Sequence, residues 1–268
     1  MADKKKTTAL VSAPSTAILE ALRNEFPVEQ GYTQNQLPRI GMFSQDVTEG
    51  KGKAMKVVTE AGTFFIDRES EEPGKDGKKE WNKEEIGDSI EAIVVFQRRQ
   101  LRHYNESTEE YTSSPVFDFA EDEVPLFLNK KEVARGTAAE LKALPQFQFT
   151  KDGKTRSSLE DNKILYVLYE GELFQMNLRG SSMFSYKTYA KSVLPPAVLT
   201  KFTSEYCEKG DISWNKMLFE AVRDLNAKEV EEVMSHMAEI KESIKSQKEF
   251  FATQNSASDK AKKELDEF

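Results

Sequence analysis

The chain has 268 residues, a formal net charge of −8, 38% hydrophobic and 31% charged residues, a composition typical of a well-hydrated globular protein with a sizeable core. Its only cysteine, Cys207, excludes an intrachain disulfide and is typical of a reducing cytoplasm. His103 and His236 are the only histidines, too few for a structural zinc site, so we expect no metal and no cofactor. No apolar run approaches the roughly 20 residues of a membrane-spanning helix.

The first third of the chain shows few strong patterns. Pro14–Phe26 predicts a short amphipathic helix that Pro27 ends. Met55–Thr59 and Thr63–Ile66 flank a turn and predict a hairpin. The charged segment Glu69–Glu85 predicts a solvated loop or insertion.

The clearest strand is Ile90–Tyr104, which is β-branched and aromatic in its first half and basic in its second. Val124–Leu128 is a short apolar run. Thr137–Leu144 predicts a short helix that Pro145 ends.

A tight hairpin is predicted within Ile164–Arg179, where two apolar runs flank Glu170–Gly171. One face of this hairpin is apolar and the other is half polar, because side chains alternate along a strand. The register predicts two pairs on the apolar face, Val167 with Phe174 and Leu165 with Met176.

Further elements are predicted after the hairpin. Ser181 or Ser182 can cap a helix that runs to Val193. Val198–Cys207 and Ile212–Val222 predict two strands.

The C-terminal part begins with a predicted capping box, in which Asn226 precedes Glu229 by three positions. It opens an amphipathic helix over 226–251. Short strands followed by this long helix predict a mainly β fold with added helices (α+β), an OB-like five-stranded barrel. The predicted parts are an N-terminal arm and short helix (1–34), the OB-like domain (35–225), the C-terminal helix (226–251) and a flexible acidic tail (252–268).

Charge is unevenly distributed along the chain. From Asp67 to Glu91 there are ten acidic and five basic residues, whereas the windows 92–105 and 173–204 contain cations and no acid. Aromatic residues lie among these cations, a pattern typical of single-strand binding, in which cations follow phosphates and rings stack on bases. The candidate DNA-binding residues are Arg98, Arg99, Arg102, Tyr104, Tyr166, Gln175, Asn177, Arg179, Tyr186, Lys187, Lys191 and Trp214.

Each candidate also has a structural interpretation. The basic strand end fits a solvated strand paired with acidic loops. The aromatic residues of the predicted helix, Phe184 and Tyr189, and Trp214 fit a hydrophobic core better than a stacking role.

The order of several segments resembles that of single-stranded-DNA-binding proteins encoded by phages and mobile elements, over roughly residues 35–225. These segments are Leu37–Ile40, Ile90–Val95, Ile164–Leu173, Asn177–Ser182 and Ile212–Trp214. The resemblance implies an OB-like barrel that binds single-stranded DNA during replication or recombination. It also implies a tail that recruits partner enzymes, here ending in Asp266, Glu267 and Phe268.

No Walker loop, nucleophile elbow or dinucleotide fingerprint is present, so we expect a binding protein and not an enzyme. We expect it in the cytoplasm, that of the host cell if it is phage-encoded. A homo-oligomer is compatible with the sequence. Two alternatives stay open, a virion-structural or adaptor protein and a mediator that anneals single strands.

Overall fold

The computed structural model describes residues 37–49, 56–73, 79–129, 131–242 and 244–245. Within these ranges the chain is mostly β, with one eleven-stranded sheet and two two-stranded sheets. The predicted α+β fold with a five-stranded OB-like barrel is wrong, because the strands form a larger sheet that does not close. The predicted helix Pro14–Phe26 and the predicted tail 252–268 lie outside the described residues.

The elements of the first half are nearly all strands. They are β1 (Arg39–Met42), β2 (Val47–Glu49), β3 (Lys56–Thr59), β4 (Phe64–Pro73), β5 (Lys79–Gly87), β6 (Ser89–Asn105), β7 (Glu110–Ser113), β8 (Val124–Leu128), β9 (Lys131–Gly136) and helix α1 (Ala138–Ala143).

The second half adds strands and two further helices. They are β10 (Gln148–Lys151), β11 (Lys154–Ser157), β12 (Glu160–Tyr169), β13 (Glu172–Leu178), α2 (Gly180–Ser192), β14 (Val198–Lys209), β15 (Ile212–Asp224) and α3 (227–242 and 244–245). Short 3-10 turns, Pro145–Phe147 and Pro195–Ala197, precede β10 and β14.

The large sheet runs in the order β5-β4-β1-β13-β12-β6-β7-β8-β9, and β14 joins β6 to β15. Only the β1–β13 pair is parallel among these pairs, with Arg39 opposite Gln175. The long strand β6 therefore pairs with three strands, β12, β7 and β14.

Two predictions for the first third are wrong. Strand β3 pairs with β2, not with β4, because β4 lies between β1 and β5. The predicted loop Glu69–Glu85 is wrong for its described parts, 69–73 and 79–85, which are strand and supply much of the β4–β5 pair. A charged strand is stable here because cross-strand pairing, which the local pattern does not reveal, fixes its backbone.

The predicted hairpin is confirmed in detail as β12–β13, including Val167 opposite Phe174 and Leu165 opposite Met176. Glu170 and Gly171 both have positive φ, 50° and 80°, as the tight turn of a two-residue hairpin requires. The strand predicted at Ile90–Tyr104 is confirmed as β6.

The helix caps follow the predictions in part. Thr137 and Glu140 form a complete capping box at α1. Helix α2, however, begins at Gly180, so its N-cap is Arg179 and the predicted cap at Ser181 or Ser182 is wrong. These serines instead bond to β15: Ser182 Oγ accepts from the Met217 amide at 2.9 Å.

Three apolar clusters form the core. The first lies between α2 and the sheet, around Phe174, Tyr186 and Phe202. The second lies on the opposite sheet face and includes Phe96 and Tyr166. The third packs α1 against β6 and β8.

Helix α3 covers part of the second cluster. Asn226 and Glu229 cap it reciprocally, through side-chain bonds of 2.9 and 3.1 Å to each other's backbone amides. Five apolar side chains of α3 are buried in the cluster: Val230, Val233, Met237, Ile240 and Ile244. The predicted helix 226–251 can be compared with the structure only as far as residue 245.

A buried ion pair ties the segment after β7 to the middle of β6. Arg98 Nε lies 2.8 Å from Asp118 Oδ1, with side-chain exposures of 0% and 1%. The Arg98 guanidinium also donates to the Val116 carbonyl at 3.0 Å. A charge buried in this way requires its partner, because desolvation of an unpaired ion is costly.

We predict that Arg98→Met lowers the free energy of unfolding by about 3–5 kcal/mol, because it leaves Asp118 buried without its cation. Urea denaturation measures the change. The matched control is Arg135→Met, which removes an exposed pair with Glu132 and is expected to cost no more than about 1 kcal/mol. Equal losses in the two variants would contradict the prediction.

Candidate nucleic-acid interface

A groove crosses one face of the large sheet. It consists of two cavities of about 630 Å³ and about 650 Å³. Both are lined by Glu160, Asn177 and Arg179, so they are adjacent, and together we call them the sheet groove. From β1 to β7 the groove crosses four interstrand spacings, or about 19 Å at about 4.8 Å each.

Strand pairing explains why these residues share one face. Gln175 lies opposite Tyr166, and Asn177 lies opposite Ile164. Glu160 lies opposite Arg102 on β6. Directly opposed side chains point to the same side of a sheet, so β13, β12 and β6 present polar residues to the groove together.

The first cavity contains two aromatic side chains, Phe65 and Trp214, together with Arg39. The indole N–H of Trp214 donates to Ser181 Oγ at 3.0 Å, which fixes the ring. Gly41 lies beneath Phe65: a Cβ at this position would lie 2.5 Å from Phe65 Cζ. The absent side chain therefore allows the phenyl ring to lie over β1.

The second cavity is richer in rings. Tyr104 and Tyr111 are 45% and 56% exposed, and their ring centroids lie 4.6 Å apart across the β6–β7 hairpin. The Arg102 guanidinium lies 5.4 Å from the Tyr111 ring centroid. Phe149 lines the same cavity and is also exposed.

The groove carries charges of both signs. Its cations are Arg39, Arg102 and Arg179, and its acids are Asp67, Glu106 and Glu160. Among the described residues, neither Arg102 nor Arg179 has an acidic side chain within salt-bridge distance. These two guanidinium groups are therefore available to a ligand.

Six predicted site residues line the groove: Arg102, Tyr104, Gln175, Asn177, Arg179 and Trp214. Lys187 and Lys191 are exposed on α2 but line neither cavity. The predicted tail residues Asp266, Glu267 and Phe268 lie outside the described part of the chain.

Three predicted site residues, Arg98, Tyr166 and Tyr186, are wrong because the fold buries them, and a fourth, Arg99, is ion-paired within the fold. Arg98 is buried with Asp118, and Arg99 is held by Asp161. Tyr166 packs edge-on against Phe96 in the second core cluster. Tyr186 is fully buried in the first cluster, where burial raises the pKa of its hydroxyl.

The sequence reading missed several residues that line the groove: Arg39, Phe65, Tyr111, Phe149, Glu160 and Asn162. Tyr111 could have been predicted from the sequence, because pairing β6 with the next strand as a hairpin places Tyr111 opposite Tyr104. Arg39 belongs to a segment noted for its resemblance, but its position depends on the nonlocal pairing of β1 with β4 and β13.

Asp161 neutralises Arg99 beside the groove. Arg99 Nε donates to Asp161 Oδ1 at 3.2 Å, and Lys142 Nζ donates to Oδ2 at 3.3 Å. Burial alone would raise the pKa of Asp161, but the hydrogen bonds and positive charges of Arg99 and Lys142 outweigh it and lower this pKa. The carboxylate is therefore a structural counterion.

Comparison with protein-family models, curated proteins and solved structures finds no match to this chain. Within the described residues, no helix has both the length and the apolar character needed to cross a membrane. The same part of the chain contains no group of three His, Cys, Asp or Glu side chains placed to hold a metal ion.

We predict that Asp161→Asn destabilises the fold at neutral pH, because Arg99 and Lys142 lose their counterion. A lowered folded-state pKa stabilises the fold above the unfolded value of about 3.9, and this contribution is lost as the pH falls through the folded value. The difference in unfolding free energy between wild type and variant should therefore shrink below about pH 4. Urea denaturation across this pH range measures it.

The matched control for this prediction is Asp211→Asn, which changes an exposed carboxylate in the β14–β15 turn. It should alter stability little at any pH, because this exposed carboxylate makes no salt bridge within the described residues. A difference for Asp161→Asn that does not change with pH would contradict the assignment.

Proposed function

We propose that the protein binds single-stranded DNA in the sheet groove, without requiring a defined sequence. The observation that carries this proposal is the adjacency of the two cavities, which places Arg102 and Arg179 beside exposed rings on the sheet. Arginines can neutralise phosphates, and rings such as Tyr104, Tyr111 and Phe149 can stack on bases.

Single strands fit this surface better than a duplex. In a duplex the base faces are stacked on each other, so exposed tyrosine and phenylalanine rings find no free base to contact. In a single strand the bases are free to stack on such rings.

The net charge of −8 is compatible with this role because affinity depends on the local field. We further propose that the role belongs to DNA replication or recombination of a phage or mobile element, in the cytoplasm of the host cell. The support for this context is the resemblance of the chain to such proteins.

We predict that oligo(dT) binds at low salt and that log affinity falls with log salt with a slope of about −1.4, for Arg102 and Arg179 at about −0.7 each. Arg179→Gln should reduce the magnitude of this slope by about 0.7 because it removes one phosphate contact. Fluorescence anisotropy of labelled oligo(dT), titrated between about 50 and 200 mM salt, measures both values.

Lys187→Gln is the matched control, since Lys187 is exposed outside the groove, and its slope should equal that of wild type. Absence of binding at low salt, or binding that ignores salt, would refute the proposal. A large stable assembly without DNA affinity, seen by light scattering, would instead favour the structural or adaptor role.

We predict that Tyr111→Leu weakens oligo(dT) binding by about 1–3 kcal/mol, the stacking contribution of one base. The salt slope should stay unchanged because no cation is removed. Tyr206→Leu is the control: Tyr206 is comparably exposed, at 63% against 56%, but lies outside the groove and should not affect binding. A loss of equal size in both variants would argue against stacking in the second cavity.

A further inference from the structure

Two polar side chains of β12 lie where the cavities of the sheet groove meet. Glu160 lines both cavities, and Asn162 lines the second. They are two positions apart on one strand, so they share its face. Across the strand pair they lie opposite Arg102 and Gln100.

The Glu160 carboxylate and the Asn162 side-chain oxygen form no polar contact with the rest of the described residues. Among the described residues, the Glu160 carboxylate forms no hydrogen bond or salt bridge, although it lies in a groove with three arginines. Asn162 is only 7% exposed, and its Oδ1 accepts no hydrogen bond. Because buried polar atoms are nearly always paired, this oxygen is an exception within the described residues.

A carboxylate in a phosphate-binding groove is unfavourable unless the ligand brings hydrogen-bond donors to it. Glu160 can only accept hydrogen bonds when ionised. Cytosine and adenine present an exocyclic amine, and glutamate is a recognised acceptor for the cytosine N4 amine. Thymine presents the O4 carbonyl at the corresponding position, where it would face the carboxylate without a hydrogen bond.

We propose that Glu160 and Asn162 form a base-reading subsite that prefers an amine-bearing base, cytosine or adenine, over thymine. The inference rests on the proposed function, since it concerns one base of a strand already held in the sheet groove. Arg102 and Arg179 hold the phosphates on either side of this base, and Tyr104 and Tyr111 stack on its neighbour.

The test compares oligo(dC) and oligo(dT) of equal length at slightly alkaline pH, by anisotropy, for wild type and Glu160→Gln. Wild type should bind oligo(dC) about ten- to a hundredfold more tightly than oligo(dT), the effect of one hydrogen bond to a charged group. Glu160→Gln should abolish this ratio, because an amide can both donate and accept. It should not weaken oligo(dT) binding, because it removes a negative charge from the groove.

Glu106→Gln is the matched control, since Glu106 also lines the second cavity but follows the end of β6. It makes the same change of charge and should leave the ratio of the two affinities as in wild type. Circular dichroism of both variants checks that each remains folded.

The outcomes separate the two proposals. If neither oligomer binds at low salt, the proposed function fails and the subsite fails with it. If both bind wild type equally, only the subsite is refuted. A preference that survives Glu160→Gln, or that Glu106→Gln also removes, likewise refutes the role of Glu160.

Discussion

The long strand β6 contributes side chains to all three core clusters, and a bulge within it determines which side of the sheet its basic end faces. Val167 pairs with Val94 and Tyr166 with Phe96, so Val95 is the extra residue. Before the bulge, Val94 points into the first cluster; after it, Phe96 points into the second. Without the bulge, simple alternation would turn Arg102 and Tyr104 to the opposite face, away from the groove.

The ion pair of Arg98 with Asp118 follows from the same geometry. The bulge places Arg98 on the face of Phe96, where the segment 116–118 crosses it and supplies both a carboxylate and a carbonyl. The arginines at the basic end of β6 therefore have different roles. Arg98 and Arg99 stabilise the fold through Asp118 and Asp161, and Arg102 is left for the groove.

Local patterns predicted those parts of the fold that neighbouring residues determine. The β12–β13 register, the helix α1 and the capping box of α3 depend on residues a few positions apart. The parallel β1–β13 pair and the strand pair made by Glu69–Glu85 depend on partners far along the chain. No local propensity carries that information, so the barrel inferred from strand count was wrong.

The difference between local patterns and contacts between distant residues also explains which residues of the candidate site were predicted correctly. Alternation correctly grouped Gln175, Asn177 and Arg179 on one face. It could not show that Tyr166, on the same face, is covered by the cluster beneath α3. Whether an aromatic side chain stacks on a ligand or on the core is decided by what covers it, and the covering helix lies some 60 positions later in the chain.

The mixed charge of the groove limits how the protein can select its ligand. A purely cationic channel would attract any nucleic acid, single or double stranded, because phosphate neutralisation carries no information about base pairing. Here three arginines lie among three acids on a protein that is anionic as a whole. In the proposed single-strand binding, electrostatic attraction would therefore be weak, and contacts of rings and polar groups with unpaired bases would supply the rest of the affinity. A duplex cannot make those contacts, so weak electrostatics favour selection for single strands.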